Sequence, residues 1–236
     1  MSKMLRSLFY SISTLCVRIR FLAFSPSPTV SVRNAKFGLP FHSRIDKDNS
    51  VHFQDVTVRK CTFSIRGEGN VAELRGHLYN TRISIFGTGN KLIIEDGASI
   101  LNSNLMIRAT NGILHIGKGT SVGSVRIVCM GNECPIEIGA ECMFSENVEI
   151  WNSDGHDIWD KESGKMLNPS SPVTVGDKVW LGKNVTILKG VTVGDGAIVG
   201  YGSIVTKDVP AESVVAGDGS KVLARGMDWS KNWTKN

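Results

Sequence analysis

The sequence predicts an all-β solenoid, and three observations predict it. Residues Val175 to Pro210 divide without remainder into the six-residue units VGDKVW, LGKNVT, ILKGVT, VGDGAI, VGYGSI and VTKDVP. An aliphatic residue opens every unit, and Gly follows it in four of the six. The fifth place is always small or β-branched: Val179, Val185, Val191, Ala197, Ser203 and Val209. A strict period with a composition rule at two places marks stacked repeats, each burying its apolar face on the next. A period of six suits a triangular coil of short flat strands, with Gly, Asn and Asp at corners where the backbone turns at positive φ. Hairpins with glycine turns would need alternation at period two, which this stretch lacks.

Upstream, the coil continues in looser form from about Val51. The segments SIRGEGNVAELRG (64–76), SIFGTGNKLIIEDG (84–97), MIRATNGILHIGKG (106–119) and RIVCMGNECPIEIG (126–139) each run from aliphatics through a Gly/Asn corner to aliphatics again. The corner residues Asn70, Asn90, Asn111 and Asn132 are spaced by one coil of three hexads plus a few residues. Seven or eight coils are expected between Val51 and Gly217, stacked at roughly 4.8 Å. His52, His77 and His115 fall in these coils without a ligand-like pairing, so no metal site is expected.

Charge divides the chain. Residues 1–45 carry seven of the 27 Lys and Arg and no acid, leaving 20 basic against 22 acidic residues, a net −2, in the remainder. The basic character belongs to the N-terminal segment, and no aromatic-interleaved basic patch marks a nucleic-acid partner. Within residues 2–24, Leu5, Leu8, Phe9, Ile12, Leu15, Cys16, Ile19 and Leu22 form one stripe of an amphipathic helix. It is too charged to span a bilayer. A cap over the solenoid or trimer packing, peripheral contact with an anionic membrane face, and organellar targeting are its three readings. Ser25-Pro-Ser-Pro28 ends it and begins a linker to about Ser50. The five cysteines lack paired spacing, and Cys142 occupies an inward place, so a reducing compartment is expected rather than a disulfide framework. The divisions are thus 1–50, helix and linker; 51–217, the coil; and 218–236, a cap in which Trp229 and Trp233 suggest a short helix.

The regular coil breaks at Trp151. Residues 151–172, WNSDGHDIWDKESGKMLNPSSP, have no period, and long irregular insertions in a compact fold usually carry function. Their centre, Ser153-Asp154-Gly155-His156-Asp157, offers an imidazole flanked by two acids.

The hexads resemble those of the hexapeptide-repeat acyltransferases, and the loop resembles that of the polysaccharide O-acetyltransferase branch. The resemblance covers about residues 80–225 and implies a left-handed parallel β-helix acting as a homotrimer. It implies His156 as general base, with Asp154 or Asp157 holding the ring, and Trp180 lying against acetyl-CoA. The terminal Ala216-Gly217-Asp218-Gly219-Ser220-Lys221 is similar to the family's A-G-N-P-A-K segment, with its centre replaced. The candidate donor contacts are then Trp180, Gly182, Gly200, Lys207, Lys221 and Arg225, and the candidate acceptor contacts are Trp151 and Asn152. The implied reaction moves an acetyl group from acetyl-CoA, without metal, to a hydroxyl of a surface polysaccharide or its precursor. Neutral imidazole would take the hydroxyl proton as the oxygen attacks the thioester, and a backbone N–H would meet the oxyanion. A serine- or antibiotic-type acceptor and a non-catalytic scaffold are the alternatives. The expected location is cytoplasmic, with the inner membrane face open to residues 2–24.

Overall fold

The structure is a computed structural model that describes residues 28–232. The amphipathic helix expected at residues 2–24 lies outside them. Among the described residues every named element is a strand, in the order β1 (Thr29–Arg33), β2 (Lys36–Gly38), β3 (His42–Ile45), β4 (Ser50–Arg59), β5 (Thr62–Glu68), β6 (Val71–Tyr79), β7 (Arg82–Thr88), β8 (Lys91–Ile94), β9 (Ser99–Leu101), β10 (Asn104–Thr110), β11 (Ile113–Ile116) and β12 (Ser121–Val122). There follow β13 (Val125–Met130), β14 (Ile136–Ile138), β15 (Met143–Phe144), β16 (Val148–Trp151), β17 (Val173–Val175), β18 (Trp180–Leu181), β19 (Thr186–Ile187), β20 (Thr192–Val193), β21 (Ile198–Val199), β22 (Ile204–Val205), β23 (Ser213–Ala216) and β24 (Lys221–Arg225).

Every third strand pairs in parallel, which makes three stacked faces. The first face stacks β8, β11, β14, β17 and β20; the second β9, β12, β15, β18, β21 and β23; the third β3, β5, β7, β10, β13, β16, β19 and β22. β6 bends through a corner: Val71–Leu74 pairs with β8 on the first face, and His77–Tyr79 with β9 on the second. Gly76 makes that bend at φ 82°, where a β-carbon would lie 2.2 Å from the Ala98 carbonyl oxygen. About eight coils result.

The hexad rule is the core rule. The opening residues Val175, Leu181, Ile187, Val193, Val199 and Val205 are all at most 1% exposed, and the fifth-place residues are at most 3% exposed. Aliphatic openers and small or β-branched fifth places thus point inward together and fill the space between the three faces. Cys61, Cys129, Cys134 and Cys142 are buried thiols in this interior.

The coil begins earlier than the sequence predicts. β1, β2 and β3 form a first turn where a linker is expected, with Thr29–Arg33 paired to Ser50–Gln54 and His42–Ile45 to Thr62–Ile65. No hexad marks this turn, because aromatic rings fill its interior in place of Val and Ile. Phe37, Phe41, Phe53 and Phe63 pack edge-to-face or tilted at 5.1–6.4 Å between centroids.

Asparagines build one corner, though not the four that sequence spacing suggests. Asn49, Asn70 and Asn90 are at most 1% exposed. Asn70 donates from its backbone (3.0 Å) and its side chain (2.8 Å) to Asn49 Oδ1, and Asn90 does the same to Asn70 Oδ1. The next rung is the Gly112 N–H, which donates to Asn90 Oδ1 at 2.9 Å. Asn111 and Asn132 lie outside the ladder and are exposed. The ladder follows the buried residue after the positive-φ corner residue (Asp48, Gly69, Gly89, Asn111), and spacing alone does not tell it from the exposed corner.

The chain ends in a reversal. β24 runs antiparallel to β23, and residues 227–232 carry no helical turn, against the expected C-terminal helix; Trp233 lies outside the described residues. The segment docks through individual side chains. The Trp229 indole donates to the Lys178 carbonyl at 2.7 Å, and Lys231 reaches Glu141 Oε2 at 2.8 Å. No described helix is long and apolar enough to cross a membrane.

Candidate active site

The break after β16 is tied off at its base. Ser171 N donates to the Asn152 carbonyl at 2.9 Å, and the chain re-enters the coil as β17, so residues 153–170 stand out from the corner between the third and first faces. Asn152 is fully buried. Its Oδ1 accepts from Met130 N at 2.7 Å, and its Nδ2 donates to the Cys134 carbonyl at 2.8 Å. The acceptor contact expected of Asn152 is therefore corrected: its amide is spent inside the corner and fixes the loop's root. Trp151 is half-buried at the end of β16, with its indole N–H on Glu149 Oε2 (2.7 Å) and Arg126 4.8 Å over its ring.

Above that root, Asn168 staples the loop to itself. Its Nδ2 donates to Asp154 Oδ2 and to the His156 carbonyl, both at 2.8 Å, while its Oδ1 accepts from Ile158 N at 2.6 Å. Lys189, from the corner after β19, donates to Asp154 Oδ2 at 2.5 Å and to the Asn168 carbonyl at 3.1 Å. The Lys189 bond, then the Asn168 bond, hold the Asp154 carboxyl below its ordinary range. Sequence reasoning missed both Lys189 and Asn168. Asn168 lies in the unperiodic loop and Lys189 at a variable place of the hexad ILKGVT, and only the folded corner brings them to Asp154. Residues 158–167 form a small hairpin, with a bridge from Trp159 to Met166. Ile158, Trp159 and Leu167 on it are more than half exposed.

The backbone around His156 is thus fixed, and its imidazole is exposed. Asp154, whose Oδ2 accepts from Lys189 and Asn168, makes no bond to the ring; Asp157 is exposed and lies beside it in sequence. Buried thiols offer no alternative nucleophile. Desolvation pushes Cys129 up to about 12 and Cys142 to about 11.

The expected donor residues assemble elsewhere. Trp180 opens β18 on the second face, 37% exposed, its ring 6.0 Å from that of Trp229. Two residues further along each coil, beside it, Gly182, Gly200 and Ala216 stack as a strip with almost no side chain: a β-carbon on Gly182 would meet Tyr201 N at 2.9 Å, and one on Gly200 would meet the Ala216 β-carbon at 3.1 Å. Ile204 pairs with Asp218, which brings residues 218–221 beside 204–207 and sets Lys207 and Lys221 at the same end of the solenoid, both exposed. Arg225, exposed, pairs with Ser213 in the terminal reversal. So Trp180 and the glycine strip share a face, the lysines share an end, and His156 stands at the corner between the other two faces. Among the described residues no group of three His, Cys, Asp or Glu is placed to hold a metal ion.

Comparison with known proteins finds similarity in the hexads and in the fold. Residues 172–207 match the bacterial transferase hexapeptide family (six repeats). No curated protein matches the chain. Among solved structures, the polysialic acid O-acetyltransferase OatWY is similar with a TM-score of 0.66 at 25% identity, over 85% of this chain and 92% of that one. The polySia specific acetyltransferase NeuO gives a TM-score of 0.57 at 28% identity, over 87% and 83%. The hexads of residues 172–207 thus match the repeats of the bacterial transferase hexapeptide family, and the fold is similar to that of two acetyltransferases.

Proposed function

We propose that this chain is an acetyl-CoA-dependent O-acetyltransferase acting on a saccharide hydroxyl, with His156 as general base at a site completed by a second copy of the chain. The observation that carries the reading is the separation just described. The exposed imidazole stands on a stapled loop at one corner, and the side-chain-poor strip beside Trp180 lies on the opposite face. In a homotrimer the loop of one protomer would face the strip of the next, which would also cover the apolar hairpin tip of Ile158, Trp159 and Leu167.

In this arrangement the neutral His156 imidazole accepts the proton of the sugar hydroxyl as that oxygen attacks the thioester carbonyl. The proton then passes to the departing thiolate, so no covalent acyl-enzyme is needed. Asp157, or the Asp154 Oδ1 that Lys189 and Asn168 leave unclaimed, would orient the ring. The glycine strip would let the extended arm of coenzyme A lie along the backbone, while Lys207 and Lys221 would meet its phosphates. Holding both substrates in line would supply much of the acceleration.

The test is calorimetric titration with acetyl-CoA, wild type beside Trp180→Ala, followed by thiol release over a panel of glycans with His156→Ala as control. Saturable binding weakened by the Trp180 change, and His156-dependent thiol release, support the reading. A folded protein that binds no acetyl-CoA would overturn it and leave a β-helical scaffold.

A further inference from the structure

We propose that the third face, across β5, β7, β10 and β13, is a track for a linear acidic polysaccharide that runs along the solenoid axis to the loop carrying His156. The parallel register stacks its outward side chains in columns. One column is Thr62, Arg82, Asn104 and Arg126; a second, four residues further along each strand, is Arg66, Phe86 and Arg108. Four strand residues separate the two columns by roughly 13 Å, and each coil advances by roughly 4.8 Å. Between them runs a floor of Ser64, Ser84 and Met106. In the same register beyond Met106 come Val128, which is buried, and Trp151, the half-buried residue from which the loop departs. Two cationic rails over a hydroxyl-bearing floor thus point at the candidate base.

The rails are held ready. The guanidinium carbons of Arg66 and Arg108 lie 6.0 and 5.7 Å from the Phe86 centroid, and Arg126 sits 4.8 Å over Trp151. All four arginines are exposed, and none has a carboxylate within 4.0 Å among the described residues. Glu149 follows Arg126 in register, with its carboxylate turned to the Trp151 indole. A groove of about 400 Å³ follows the Arg82 and Arg126 rail.

The charge asks for a polyanion, and the floor says which. Guanidinium groups pair bidentately with carboxylates, and serine hydroxyls suit sugar hydroxyls. A nucleic acid would want open aromatic faces for its bases, whereas arginines occupy Phe86 and cover Trp151. The track rests on the transferase reading only for what waits at its end.

The test is a titration of the full chain with a sialic acid oligomer, a neutral maltooligosaccharide of equal length and a single-stranded oligonucleotide. The acidic oligomer should bind saturably and weaken with salt. Arg66→Gln with Arg108→Gln, and separately Arg82→Gln with Arg126→Gln, should each weaken it about tenfold or more, with acetyl-CoA affinity and melting temperature unchanged. Wild-type affinity in both double variants overturns the track, as does equal binding of the neutral oligomer or tighter binding of the oligonucleotide. Acetyl-CoA binding without oligomer binding would remove the track and leave the transferase reading; the reverse result would leave the track and remove that reading.

Discussion

Lys189 Nζ donates to Asp154 Oδ2 across 35 residues of chain, and that bond fastens the irregular loop to the coil that follows it. The Asp154 carboxyl is held low, so the closure it contributes is present above its unfolded pKa of about 4 and is lost as pH falls through the lower folded value. Hydrogen exchange of residues 153–168, taken relative to the intrinsic rate at each pH, should therefore stay slow from pH 7 to about pH 4 and quicken below. Lys189→Met should quicken it already at pH 7 and flatten the pH dependence. Unchanged loop protection in that variant would mean the loop stands without the bond.

His156→Ala should lower glycan-dependent thiol release by roughly two to four orders of magnitude while acetyl-CoA binding persists. His156→Gln, which keeps a polar side chain but no base, should fall as far. A variant within tenfold of wild type would reassign the proton transfer.

Removing Asn90 tests the buried ladder. Asn90→Ala leaves the Gly112 N–H and the Ala109 carbonyl without their side-chain partner in a buried corner, while Asn70 Oδ1 keeps only the backbone N–H of residue 90. At about 1–3 kcal/mol for each orphaned group, the loss should reach several kcal/mol in chemical denaturation. Asn111→Ala, at the exposed corner, should cost less than about 1 kcal/mol.

Trp229 anchors the terminal segment through its indole bond to Lys178 and its contact with Trp180. Trp229→Ala should cost about 3 kcal/mol and open residues 226–232 to limited proteolysis. It should also weaken acetyl-CoA binding by exposing the far side of the Trp180 ring. An unaltered cleavage pattern would show that Asp228 and Lys231 suffice.

The hexads were legible because burial there is enforced at fixed places on every turn, so composition reports geometry directly. His156 and Trp180 stand out in the sequence by resemblance alone, and nothing in their spacing tells that they stand on different sides of the solenoid. The first coil was not legible, because Phe37, Phe41 and Phe53 fill with rings what later turns fill with β-branched residues, and no period survives that exchange. Asn152 looked like a contact residue because it opens the loop, but its neighbours in space, Met130 and Cys134, claim its amide. The arginine rails were invisible for another reason. Arg66 and Arg108 are 42 residues apart, and Arg82 and Arg126 are 44, so only the register of the coils makes each pair a wall.

The antiparallel return of β24 also governs how copies of this molecule can meet. A parallel solenoid with a bare last turn would offer a template on which the first turn of another molecule could add, and the product would be a fibre. Here the last parallel strand, β23, already has its outer edge taken by a strand of opposite direction. End-to-end growth is stopped on that side, so assembly is left to the flanks, where a closed ring can form.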